Sequence, residues 1–164
     1  MENADQSVGK TNMTLRALRP EDRQDWGRLW AGYLRFYETE LDQEIYDLTF
    51  SRLLSDKPGT PSALILASDD QGSDSPVQYA GLVHYLYHAH CWHRRPICYL
   101  QDLFVSAEYR QHGFGRRLIE GVYEAADKAD ASGVYWMTQS FNHEARQLYD
   151  RIGTETPFIK YQRA

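Results

Sequence analysis

The stretch YRQHGFGRRL, Tyr109 to Leu118, places two glycines and three arginines in ten residues, directly after a run that reads as a buried strand. That combination suits an anion. Glycine lets the backbone approach closely, successive N–H groups from Gln111 to Arg116 point outward at a helix start, and the helix dipole favours negative charge there. Arg110 and Arg116 add full charges. A dinucleotide fits poorly, because Leu118 stands where GxGxxG needs its third glycine, and the acidic ribose ligand expected about 20 residues on falls in SGVYW. A nucleoside triphosphate fits no better, since Arg116 and Arg117 occupy the places of the lysine and the Ser/Thr. Two readings of the loop stay open on these residues alone. It is either a seat for some other phosphate or a strand-to-helix turn that needs glycine for geometry and carries solvated arginines.

Asn142 and Tyr149 are a second pair able to do chemistry. Seven residues at about 100° each make two turns less roughly 20°, so both share one helix face and can look into one cleft. Taken alone they read equally as a cap and a core residue. HYLYHAHCWH brings His84, His88, His90 and His93 together, but no cysteine or carboxylate spacing completes a ligand set, so no metal is expected and a titrating histidine near substrate is the better reading. Cys91 and Cys98 match no metal spacing either and are expected to be free thiols.

The elements that must position these groups follow from periodicity. MTLRAL, Met13 to Leu18, alternates as a short strand. RPED then opens a helix with Trp26, Leu29, Trp30, Tyr33 and Tyr37 along one face. TFSRLLSD adds a shorter helix. SALILAS, Val77 to Tyr87 and Ile97 to Val105 read as three successive antiparallel strands. A helix from Gly113 stacks Phe114, Leu118, Val122 and Ala126, and VYWMT reads as a fully buried strand. Asn142 caps a last helix with Ala145, Leu148, Tyr149 and Ile152 inside and Gly153 at its end; FIKYQ is expected to be a closing strand. The order implies a mixed α/β or α+β sheet with helices on its faces.

The 164 residues are enough for one domain without disulfide staples, expected over 13–164 after a polar leader, 1–12. Aromatic residues make up 13%, with twelve tyrosines and four tryptophans, so some are expected to line a pocket. The net charge of -5 argues against direct nucleic-acid binding or an anionic membrane and favours a cationic partner. No run reaches the roughly 18 apolar residues of a membrane span, and MENADQSVGKTN lacks the features of a signal peptide, so a cytoplasmic protein is expected.

CYLQDLFVSAEYRQHGFGRRLIEGVY resembles the central motif of the Gcn5-related N-acetyltransferases (GNAT), a strand ending in LFV followed by Arg/Gln-x-x-Gly-x-Gly/Ala at a helix start. FNHEARQLYDRIG is similar to that superfamily's N-x-x-A-x-x-x-Y segment, with Asn142, Ala145 and Tyr149 in the matching places. LWAGYLRFYETEL, YLQDLFV, VYWMTQSFNHEARQLYDRIG and FIKYQR read most like the Hpa-type branch, acetyltransferases of histones, polyamines or D-amino acids. The resemblance spans nearly the whole chain. It implies a GNAT fold, a twisted, mostly antiparallel sheet splayed after its fourth strand and flanked by about four helices.

It also implies acetyl-CoA, with CoA as product. Its pyrophosphate would sit on Arg110, Gln111, His112, Gly113, Phe114, Gly115 and Arg116; its pantetheine would pair with the backbone of Leu103, Phe104 and Val105, with Asn142 and Ala145 nearby. Tyr149 would protonate the leaving thiolate. Relatives of the polyamine type often carry Glu-Asp where this chain has Gln101 and Asp102. Gln101 can orient an amine or a water but not accept a proton; Asp102 is ionisable, and strand alternation puts it on the opposite sheet face. Trp30, Tyr33, Tyr37 and Glu38 are expected to receive a cationic amine: a lysine side chain, a polyamine or an amino acid. The rival reading is an acyl-CoA-binding module that senses the cofactor without turnover. One lone terminal strand, where many members end in a hairpin, implies a homodimer through Phe158 to Gln162.

Overall fold

The computed structural model describes residues 12–68 and 76–163. Its sheet has five strands in chain order: β1 (Met13–Ala17), β2 (Ser62–Ser68), β3 (Tyr79–His88), β4 (Ile97–Val105) and β5 (Val134–Tyr135). The first four pair antiparallel, and β5 lies parallel to β4. Parallel pairing needs a crossover, which α3 (Phe114–Lys128) supplies. A 3-10 turn at Pro20–Asp22, α1 (Arg23–Phe36) and α2 (Gln43–Leu53) form the connection from β1 to β2, and α4 (His143–Ile152) follows β5.

Each sheet face has its own core. Trp26, Leu29, Trp30 and Leu34 of α1 recur at helical spacing and bury against Ile65 and Leu82. On the other face Leu118, Ile119, Val122 and Ala126 of α3 pack on Leu66, Val83 and Leu100. Asp22, fully buried, fixes the entry to α1: it takes both ends of the Arg16 guanidinium at 2.7 and 2.8 Å, the Arg19 N–H at 2.8 Å and the Tyr79 hydroxyl at 2.9 Å. Burial pushes its carboxyl up, but these donors outweigh burial and hold it below its usual range.

Two expectations about the C-terminal region need correction. VYWMT is neither fully buried nor a full strand. Only Val134 and Tyr135 pair with β4, and Tyr135 and Met137 are exposed, because the chain leaves the sheet where Trp136 turns to pack against Tyr149. FIKYQ forms no strand, and Phe158, Ile159 and Tyr161 are 79%, 74% and 88% exposed. A strand needs a paired neighbour, and a two-residue β5 offers too short a ladder. The polar leader, save Asn12, lies outside the described residues, as does most of the turn before β3.

Candidate active site

The site is built on the second half of β4. Residues Cys98 and Tyr99 pair with β5, while from Leu100 onward β4 has no strand on that side, so the edge of Leu103, Phe104 and Val105 is open. A cleft of 550 Å³ runs along it, from the start of α3 to α4. Gln111 and Gly113 both take left-handed backbone, φ 64° and 78°, which curls the loop so that its N–H groups converge. Gly113 suits this conformation because it carries no Cβ. The first bond of α3 runs from the Arg117 N–H to the Gly113 carbonyl at 3.1 Å, leaving the N–H groups of Phe114, Gly115 and Arg116 without helical partners. An anion completes such a helix end.

All the expected cofactor residues line this cleft except His112, which stacks on Phe114 at 5.8 Å and lies 2.6 Å through Nδ1 from the Arg110 carbonyl. Arg110 also grips the end of the strand, its Nε–H donating to the Val105 carbonyl at 3.2 Å. Asn142 stands at the start of α4 but caps nothing with its side chain; its amide donates to the Thr138 hydroxyl at 3.2 Å and ties down the segment after β5.

Tyr149, Tyr33 and Tyr37 all line the cleft, Tyr37 hydrogen-bonded with Tyr33 and near enough to Tyr149 to act on its charge. Burial and then the proximity of Tyr37 push the Tyr149 phenol up to about 12, so it is protonated at neutral pH. Burial also raises Tyr33, reinforced by the charge of Asp102 and a hydrogen bond to it. Tyr99, raised by burial and by Tyr135, Asp102 and Tyr37, belongs to the same cluster. The sequence reading missed it. Strand alternation offered the signal, since Tyr99 stands two residues before Gln101.

Gln101 and Asp102 do not line this cleft. Between His84 and Tyr85 of β3 the register with β4 slips, His84 facing Asp102 and Tyr85 facing Leu100, so Gln101 is the extra residue of a bulge. The bulge breaks the alternation on which opposite faces were expected: Gln101 and Asp102 both line a smaller cavity of 230 Å³ beside α1 and α2. Trp30 lines it too, buried and stacked on Trp26 at 5.1 Å, whereas Glu38 is exposed on a left-handed turn after α1, away from both cavities.

Asp102 ends a buried polar chain. Its Oδ2 lies 2.8 Å from His84 Nδ1 and 3.3 Å from Trp30 Nε1, and Trp26 Nε1 donates to His84 Nε2 at 2.8 Å. An indole N–H only donates, so Nε2 accepts and the imidazole proton sits on Nδ1, facing the carboxylate. His84, in β3, is thereby a buried structural partner of Asp102. Among the described residues no cluster of His, Cys, Asp and Glu forms a metal site, and both cysteines are free.

An open strand edge beside a helix start with unpaired N–H groups suits an extended, phosphate-bearing ligand, and three tyrosines line the same cleft. Residues 18–154 match the model of the acetyltransferase (GNAT) family. The chain belongs to that family, is an N-acetyltransferase, and has the family's cofactor, acetyl-CoA. It is 34% identical over 151 residues to the D-amino-acid N-acetyltransferase HPA3 of Saccharomyces cerevisiae, covering 92% of this chain and 90% of that one. It is 31% identical over 93 residues, 57% of this chain and 53% of the relative, to the thialysine N-epsilon-acetyltransferase of Bos taurus. The aminoglycoside N-acetyltransferase AAC(6')-Iy, solved with CoA, shares the fold with a TM-score of 0.73 at 15% identity, covering 96% of this chain and 97% of that one. No described helix is long and apolar enough to cross a membrane.

Proposed function

We propose that the domain, residues 13–164, moves the acetyl group of acetyl-CoA directly to a primary amine of a cationic acceptor while both are bound. The single observation that carries this reading is that the Tyr149 hydroxyl-bearing side chain, Tyr37 and the open strand edge of Leu103 to Val105 line one cleft with the Gln111 to Arg116 loop. Acetyl-CoA supplies an activated acyl group as its thioester. The open edge of Leu103 to Val105 holds the carrier arm, the Gln111 to Arg116 loop holds its pyrophosphate, and Asn142 and Ala145 close the far wall. Backbone N–H groups near the bulge are donors for the thioester carbonyl oxygen.

Tyr149 gives its hydroxyl proton to the departing sulfur. Its pKa of about 12 looks mismatched with an ordinary thiol near ~8.5. Desolvation raises a thiol as well, as burial does for Cys98 in the core, so a thiolate leaving in a cleft closed to water is a stronger base than one in solution. Asp102 is the proposed acceptor of the amine proton, reached through Tyr33, with Gln101 orienting the amine or a water. Tyr33 and Tyr37 form the aromatic surroundings of the ammonium before it is deprotonated. Lysine side chains, polyamines and amino acids are the acceptors in view, in the cytoplasm.

Free-thiol release from acetyl-CoA with a panel of amines, for the wild type and Tyr149→Phe, tests this reading. CoA binding without release on any amine would favour a cofactor sensor. The exposed Phe158, Ile159 and Tyr161 support assembly as a homodimer in which this segment pairs with the other subunit. A monomer by light scattering at micromolar concentration would refute that.

A further inference from the structure

Among the described residues the buried polar side chains are Asp22, His84 and Asp102. Asp22 anchors α1, and Asp102 takes the amine proton in the reaction proposed above. His84 has no part in that reaction, yet both of its ring nitrogens are engaged: Nε2 accepts from the Trp26 indole at 2.8 Å, and Nδ1–H donates to Asp102 Oδ2 at 2.8 Å. The two indoles of α1 also pack on the imidazole, with ring centroids 5.9 Å away for Trp26 and 5.8 Å for Trp30, and so hold its plane. His84 faces Asp102 across the sheet at the edge of the bulge, the place where β4 leaves its regular alternation and a side chain is re-aimed.

This line of hydrogen bonds does not end in the core. Asp102 also bonds Tyr33, whose ring lines the cofactor cleft. A buried carboxylate with an imidazole partner adds little stability that well-packed apolar side chains would not, so stability alone is a poor reason for the chain. Position is a better one. With Trp26 on Nε2, the imidazole can only donate to Asp102 and cannot take a proton from it. We propose that His84, locked by Trp26, is a positioning residue for acetyl transfer: its Nδ1–H holds the Asp102 carboxylate where it takes the amine proton through Tyr33. This role rests on the acetyltransfer reading above and adds a residue to it. In the step, the amine nitrogen gives its proton to the Tyr33 oxygen while Tyr33 gives its own to Asp102, and His84 keeps the proton it holds.

His84→Asn and His84→Gln separate position from stability, because an Asn amide nitrogen can stand where Nδ1 stands and a Gln amide reaches the place of Nε2. Thiol release is measured at saturating acetyl-CoA with alanine, lysine and spermidine as acceptors, for each variant alone and combined with Asp102→Asn. Rates are referred to sites counted by calorimetric CoA binding, so that partial unfolding of a variant cancels. For the fastest acceptor, His84→Gln lowers kcat/KM about tenfold or more, while His84→Asn stays within about threefold of the wild type and CoA affinity is unchanged in both. With Asp102→Asn already present, His84→Gln costs less than about twofold more, since the group it positions is gone. Equal losses in the two variants, no loss in either, or a His84→Gln loss undiminished by Asp102→Asn would each overturn the proposal while leaving acetyl transfer intact. Wild-type protein that releases no thiol with any of the three acceptors overturns the acetyltransfer reading, and this role with it.

Discussion

The two sides of β4 offer a ligand different means of recognition. Toward α3 and α4 the cleft offers main chain: an open strand edge, the converging N–H groups of a left-handed loop and the free N–H groups at a helix start. Toward α1 and α2 the cavity offers side chains drawn from four elements, Trp30 from α1, Arg52 from α2 and His84 with Asp102 from β3 and β4. Main-chain recognition demands particular backbone shapes, so it leaves glycines at fixed spacing. Side-chain recognition can change its chemistry one residue at a time without disturbing the fold. A constant cofactor suits the first arrangement and a variable acceptor suits the second.

The largest expected effect breaks the comparison at its meeting point. Tyr149→Phe lowers kcat about 10³-fold with CoA affinity unchanged, the loss of a positioned acid, measured by steady-state thiol release. Because the phenol is raised to about 12, it stays protonated below that pH and contributes no alkaline fall in rate until pH approaches its pKa. Asp102→Asn acts on one side only: kcat/KM for amines falls about 10²-fold, while calorimetric CoA binding stays as in the wild type. An unchanged rate and pH profile would remove Asp102 from the reaction. Gly113→Ala acts on the other side. A side chain at φ 78° costs about 1–2 kcal/mol, which predicts CoA binding weaker by roughly tenfold and an unaltered KM for the amine.

The smallest effect concerns the anchor of α1. Since the folded carboxyl of Asp22 is held below its unfolded value, its contribution to stability is fully present above the unfolded pKa and is lost as pH falls through the folded one. Thermal melts of the wild type and Asp22→Asn should therefore differ by a few degrees at neutral pH, about 2–4 °C, and converge in acid. Constant separation across pH would show that the ion pair is not what fixes this wall.

The same contrast explains what the sequence made legible. The strand from Ile97 to Val105 was read with its observed ends, and the loop from Arg110 to Gly115 carries its shape in its glycines. The bulge at Gln101 was hidden because it exists only in the register between β3 and β4, and no local pattern encodes a partner's register. For the same reason the pairing of His84 with Asp102 was hidden: the strand from Val77 to Tyr87 contained His84, but only the register with β4 puts it, 3% exposed, opposite that carboxylate. The shortness of β5 was hidden by composition. VYWMT has strong strand formers, but Trp136 is taken by Tyr149 and Gly153 before the ladder can extend.

The stacked indoles of Trp26 and Trp30 carry an optical consequence. Two such chromophores at 5.1 Å in a rigid, chiral setting couple as excitons, so they should dominate the near-ultraviolet circular dichroism of the protein. Trp92, 80% exposed, lies open to aqueous quenchers. Trp136, beside Tyr149, reports on the cofactor side. A change at Trp30 and a change at Trp136 thus have different intrinsic signals, and no label is needed to tell the two sides of β4 apart.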